Sequence, residues 1–142
     1  MALKFTILEM EAYLAEVFPQ VDGMFGIDRM DEALLVMRLH VSDSHLRPGG
    51  TVSGPSMFAL ADVAAYVATL ARIGRQALTV TTHCSIDFMR KPVSGADMLA
   101  EARVLKMGRS LSVTDVLLFS EGSDKPVAHA SLTYSIPPVP VG

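Results

Sequence analysis

A second cysteine, an excess of basic residues and a membrane-length uncharged run are all missing from this 142-residue sequence. With Cys84 alone no intrachain disulfide can form, which suits a reducing compartment. The formal charge of −3 excludes a nucleic-acid binder that works through a basic surface. Glu9, Glu11 and Glu16 break up the N-terminal apolar residues, so no signal-peptide core forms there, and no run reads as long and charge-free enough to span a membrane. A cytoplasmic protein without membrane partners is expected. His40, His45, His83 and His129 lack zinc-ligand spacing, and a lone cysteine adds nothing to them, so no metal or other cofactor is expected. No serine sits in a Gly-x-Ser-x-Gly elbow, which removes the sequence basis for a Ser-His-Asp triad. Repeats and low-complexity segments are absent as well.

What is present reads as one globular domain over 1–142, with 50% hydrophobic and 19% charged residues. A short amphipathic helix is expected from Leu8 to Phe18, with Leu8, Ala12, Ala15 and Phe18 near one face and Pro19 ending it. Strands follow at Phe25 to Asp28 and Ala33 to Val41, then a turn-rich loop, SDSHLRPGG. A long apolar helix spans about 54–72, with Ser53 or Gly54 as cap, Pro55 in the first turn and Gly74 as stop. After it the apolar period becomes two. Leu78, Val80, Cys84, Ile86 and Phe88 fall on one face of a strand, Thr79, Thr81, His83, Ser85 and Asp87 on the other. Three further strands contain Met98 to Val104, Leu111 to Phe119 and Ala128 to Ile136, the middle one slipping near Asp115 as at a bulge. The expectation is an α+β fold in which four strands in meander, joined by the first two, form an antiparallel sheet around one helix. Its unpaired edges point to a homodimer.

One residue does not suit that helix. Between Met57 and Ala71 the strongly polar side chains are Asp62 and Thr69. Either Asp62 faces water on a thin exposed stripe, or it is held inside for a purpose, because burying an unpaired carboxylate costs several kcal/mol, by order of magnitude. The helix start adds a second chemical feature. The amides of Gly54 and its successors, Pro55 excepted, lack intrahelical acceptors and form a donor cluster suited to an anion or a developing oxyanion. Gly54 and Asp62 lie about 12 Å apart along the axis, a span that an extended acyl group or a partner subunit could bridge.

The stretches GGTVSGPSMFALADVAAYVA and LTVTTHCSIDFMRKP resemble the hotdog-fold acyl-CoA thioesterases of the phenylacetic-acid-degradation branch, over about 25–137. The family pattern is His-Gly-Gly followed by a helix whose Asp lies seven residues after the second Gly. Ser53-Gly54-Pro55 occupies the first part here and Asp62 the second. The resemblance implies a curved sheet wrapped around the helix, Asp62 as nucleophile or general base, and a Gly54 amide that polarises the thioester carbonyl. It also implies an assisting Ser or Thr on the following strand, from the other subunit. Thr81 fits that place, with Thr82 beside it. Sites would lie at subunit interfaces of a homodimer or dimer-of-dimers tetramer, with coenzyme A entering as part of the substrate. Ser53 departs from the family His, and Arg47 stands where an Asn or similar polar residue positions water; Ser53 can still donate, and Arg47 could steady a carbonyl or phosphate.

Arg90, Lys91, Lys106 and Arg109, at strand ends, are either surface charge or, as in similar enzymes, contacts for the coenzyme A phosphates. His45 lies beside Arg47 on the loop, and Met57 and Met89 flank the site and could line an adaptable acyl pocket. The expected activity is hydrolysis of medium-chain or aromatic acyl-CoA. The alternative is an acyl-CoA or lipid-binding hotdog protein that has lost catalysis through Ser53. A hotdog hydratase is weaker, since Ser53 occupies the natural place for its catalytic His.

Overall fold

In a computed structural model, which describes residues 2–138, the chain folds as α1 (Ile7–Val17), β1 (Phe25–Met30), β2 (Leu35–Leu39), α2 (Gly54–Ile73), β3 (Val80–Phe88), β4 (Met98–Met107), β5 (Leu111–Ser120) and β6 (Ala128–Ser135). The last four residues of the PPVPVG tail lie outside the described residues. Every strand pairing is antiparallel, in the order β1-β2-β4-β5-β6-β3. The sheet curls around α2, as the resemblance implies. The expected meander of four strands is corrected to three: β4, β5 and β6 run in sequence, while β3 pairs with β6 and forms the sheet's end.

Local chemistry sets both helices. Thr6 and Glu9 close a reciprocal capping box at α1. The face α1 buries is Met10, Tyr13 and Leu14, not the one expected from Leu8, which is 79% exposed. Two aromatic contacts fix that choice, because Tyr13 lies 5.5 Å from Phe5 and Arg75 packs over both rings. At α2, Ser53 is the N-cap and its Oγ accepts from the Ser56 amide at 3.3 Å; Gly74 ends the helix at φ 95°, a conformation favourable to glycine.

By length and composition α2 could cross a membrane, contrary to the expectation that no run would, with mean hydropathy 1.4 and 67% of the window buried. It is the core of the fold. Leu60, Ala61, Ala64, Val67 and Leu70 pack against Met37, Met98, Ala100, Val116, Leu118 and Leu132 on the inner face of the sheet. Buried small residues on α2 and on β4 let the sheet close tightly about the helix.

Of three register shifts in the sheet, one of them between Ile27 and Arg29 on β1, the other two alter the expected alternation. The β3–β6 register shifts between Thr81 and His83, so the strand changes faces at Thr82. Thr79 and Thr81 then point inward with Cys84 and Ile86, while Leu78 and Val80 stand 83% and 56% exposed rather than on the core face. The second bulge is at Leu105 on β4, where the register to β5 shifts between Val104 and Lys106, not at Asp115. β5 is regular, with Ser112, Thr114, Val116, Leu118 and Ser120 all inward. Its pattern reads as a slip near Asp115 because the inward positions before it, Ser112 and Thr114, are hydroxylic. Ser112 and Thr69 satisfy each other at 3.1 Å.

That pair gives a stability prediction. Thr69→Val or Ser112→Ala alone should cost about 1–3 kcal/mol by stranding a buried hydroxyl, while the double replacement should cost less than the two singles together. Urea denaturation of the four forms measures it; strictly additive losses would mean that the hydroxyls do not depend on each other.

Candidate active site

The bulge in β3 is what gives Asp62 its surroundings. By turning Thr81 inward it brings that hydroxyl to 2.6 Å from Oδ1 of Asp62 in the same chain, not from the other subunit as the resemblance implies. Tyr134, from the neighbouring β6, donates to the same oxygen at 2.7 Å and lies 2.8 Å from the Asp62 carbonyl oxygen. Burial, reinforced by the Asp62 charge, pushes the Tyr134 hydroxyl well above its ordinary pKa, so it remains a proton donor to the carboxylate. Oδ2 has no hydrogen-bond partner among the described residues. Asp62 is therefore neither an exposed helix residue nor an unpaired buried one. One oxygen is tied down and the other is unpaired among the described residues, and Asp62 lines a cleft of about 390 Å³ whose wall includes Val63, Tyr66, Thr79 and Phe18.

Tyr134 was readable in the sequence only as a core position of β6; its role toward Asp62 depends on the β3–β6 pairing, which no local pattern reveals. Thr79, also in the cleft wall, is buried with its Oγ1 unpartnered among the described residues. Cys84 packs nearby, its thiol pKa raised by burial first and by Asp62 second.

A second groove, about 580 Å³, lies at the start of α2. It brings together Arg47, Gly54, Met57, Met89, Arg90 and Lys91. Its floor is the loop between β2 and α2, where Leu46 bridges to Val52 and the chain reverses through Gly49 and Gly50 at φ 104° and 83°. Gly54 has ordinary negative φ, so its backbone conformation does not demand glycine; a Cβ there would reach 3.5 Å from the Phe88 ring. Its amide has no acceptor among the described residues, whereas the next free amides donate to Ser53, from Ser56 to Oγ and from Met57 to the carbonyl.

The remaining expected site residues are placed as follows. The Ser53 hydroxyl both caps α2 and donates to Ser56 Oγ at 2.9 Å. His45 is buried behind the groove, with Nδ1 accepting from the Ser42 amide at 3.0 Å and its carbonyl accepting from the Ser53 amide. Arg109 lies in the β4–β5 turn, beside the strand end that pairs Leu111 with Ser135, while Arg90 and Lys91 follow Phe88 at the opposite end of β3. One chain thus gathers Arg47, Arg90 and Lys91 but not Arg109. Thr82, at the bulge, is exposed and donates to the Thr133 carbonyl. No cluster of three His, Cys, Asp or Glu side chains suited to a metal occurs among the described residues.

Gly54 and Asp62 do not share a cleft within one chain. The first opens beside Phe88 and the second beside Thr81, near the two ends of β3.

The sheet, the central helix and the acid on it define a class. The chain belongs to the thioesterase superfamily, whose sequence profile matches residues 49–127, and it has the hotdog fold of the phenylacetic-acid-degradation branch. Among solved structures it is similar to a candidate thioesterase from Silicibacter sp. TM1040, at 60% identity over 97% of this chain and 96% of that one, TM-score 0.91. It is also similar to the Escherichia coli PaaI protein of the phenylacetic acid degradation operon, at 25% identity over 90% and 95% of the two chains, TM-score 0.73. The fold recurs in Streptococcus mutans smu.793, crystallised with acetyl CoA, at 21% identity over 80% and 89%, TM-score 0.69. A search of functionally curated proteins returns no match.

Proposed function

We propose that this protein is a cytoplasmic acyl-CoA thioesterase for medium-chain or aromatic acyl groups. The observation that carries the reading is the state of Asp62: in a chain of the thioesterase superfamily, its Oδ1 is held by two hydroxyls, its Oδ2 is unpaired among the described residues, and the residue lines a cleft. The carbonyl of the substrate accepts from the Gly54 amide at the positive end of α2, which stabilises the oxyanion that forms. Asp62 Oδ2 either removes a proton from the attacking water or attacks directly to give an anhydride that water then opens. Collapse expels the coenzyme A thiolate, which takes up a proton, and the products are the free acid and coenzyme A. Thr81 and Tyr134 keep the carboxylate aimed. Arg47, Arg90 and Lys91 beside Gly54 supply the charge for the phosphates of coenzyme A, a ligand class that a protein of this fold is known to hold.

Two copies complete the site in this reading. β3 ends the sheet, its outer edge carries no strand among the described residues, and Val80, Phe88 and the following Met89 are exposed there. Antiparallel pairing of two β3 edges sets the Phe88 end of one against the Thr81 end of the other. Gly54 of one copy then faces Asp62 of its partner, and the distance along α2 ceases to matter. A dimer, alone or doubled into a tetramer, is the expected assembly.

One observation favours a second reading. The Ser53 hydroxyl is occupied as the α2 cap, so it is not itself free to take the place of the family His. A binder that holds acyl-CoA without cleaving it follows from that. Thiol release from a panel of aliphatic and aromatic acyl-CoAs decides between them. Turnover of at least one ester is expected; binding of the esters with no thiol released would establish the binder.

A further inference from the structure

We propose that Phe18 sets the length of acyl chain the protein accepts, by closing the Asp62 cleft against a second cavity, one wall of which is apolar. The inference rests on the acyl-CoA reading above, because the carbonyl must lie beside Asp62 for the chain to run the way described.

Three aromatic rings lead away from the carboxylate. Tyr134 bonds Asp62, Tyr66 lies 6.0 Å from Tyr134, and Phe18 meets Tyr66 edge-on at 6.2 Å and 87°. The Tyr66 hydroxyl is turned out of this row, donating to the Ala77 carbonyl at 2.8 Å, so the rings present apolar surface to the cleft. Behind Phe18 lies a separate cavity of about 210 Å³ between α1 and the first two strands, with Leu14, Phe25, Ile27 and Met37 as its apolar wall and the carboxylates of Glu11 and Asp22 also in its lining. Phe18 is the one residue common to both linings. It follows the last turn of α1 and precedes Pro19, so its position is fixed by the end of the helix. A chain that begins at Asp62 fills the front cleft and stops at this ring. A longer one can enter the rear cavity only where the ring is absent or displaced.

Each methylene that moves from water into an apolar cavity raises affinity about fourfold, the equivalent of about 0.8 kcal/mol. Non-hydrolysable S-alkyl-CoA thioethers of increasing length therefore read the depth of the cleft directly. In titration calorimetry the wild-type affinity should climb with chain length and then level off. Phe18→Leu and Phe18→Ala should move that plateau to longer chains, with the Ala variant gaining about tenfold or more on the first thioethers beyond the wild-type limit. Phe18→Trp should move it to shorter ones. The same order should appear in the relative kcat/KM for acyl-CoAs of matching length. Should Phe18→Ala fail to fold, the Leu and Trp forms carry the test in opposite directions. An unchanged plateau in the folded variants overturns the role of Phe18, and so does the absence of thioether binding by wild type, which removes the acyl-CoA reading as well. Normal plateau shifts without hydrolysis of any ester would leave Phe18 in its role and reject only the thioesterase.

Discussion

Asp62→Asn is expected to lower thioester turnover by about a thousandfold while leaving the melting temperature within a few degrees of wild type. The asymmetry comes from the two oxygens. An asparagine in the same rotamer still offers Oδ1 to the hydroxyls of Thr81 and Tyr134, so the packing around α2 has no reason to change. The amide that replaces Oδ2 can neither accept a proton from water nor attack a carbonyl. Positioned proton transfer is worth roughly 10²–10⁴ in rate, and a lost nucleophile would cost no less. Alanine is a poorer test, because it strips the inward Thr81 hydroxyl of its acceptor, leaves Tyr134 only the main-chain carbonyl of residue 62, and should cost about 1–3 kcal/mol of stability. Single-turnover thiol release with the best substrate, beside a thermal melt, separates the two effects. Activity near wild type in Asp62→Asn would take the carboxylate out of the chemistry and leave it a structural acceptor.

The long helix was legible because its signals are local: a Ser cap, a Pro in the first turn, a Gly stop, and apolar residues between them. β6 was legible for the same kind of reason, Ala128, Ala130, Leu132, Tyr134 and Ile136 all lying inward as the alternation requires. The misreadings share a cause in pairing. Alternation along β3 says which residues share a face only while the strand stays in register, and the bulge at Thr82 breaks that rule within one residue. It exchanges the faces of Val80 and Thr81, so Thr81, which alternation puts opposite the apolar face, in fact shares the inner one. β5 shows the converse. Ser112 and Thr114 looked like a break in the pattern but are inward residues, one of them paired to Thr69 across the core. The position of β3 at the sheet's end is set by which strand edges remain after β4 docks on β2, a competition no single segment records. The candidate site was half legible on the same grounds. Asp62 stood out by composition and Gly54 by its place at a helix start, but Tyr134 could be linked to Asp62 only by folding.

Gly54→Pro should lower turnover by about 10²–10³ and leave the fold intact, and it should be rescued by a chain that lacks only Asp62. Proline suits the first turn of a helix, where the amide has no intrahelical acceptor to lose. The preceding residue must be extended, and Ser53 already is, at φ −75° and ψ 156°. The nearest obstacle is the ring of Phe88, half exposed and free to move aside. What the substitution removes is the one N–H proposed to carry the oxyanion, a loss of about 10²–10³ in rate for donors of this kind. If each site takes Gly54 from one copy and Asp62 from the other, a mixed dimer of Gly54→Pro and Asp62→Asn chains holds one intact site and one doubly damaged one. Random exchange of two impaired preparations should then restore about a quarter of wild-type turnover, as two-fold symmetry requires. Sites built within one chain would give no rescue in any mixture. Co-refolding the two variants in equal amounts and measuring thiol release therefore tests the amide, the carboxylate and the shared interface at once. Rescue is expected because Gly54 and Asp62 open into different clefts near the two ends of the strand whose free edge a second copy would pair.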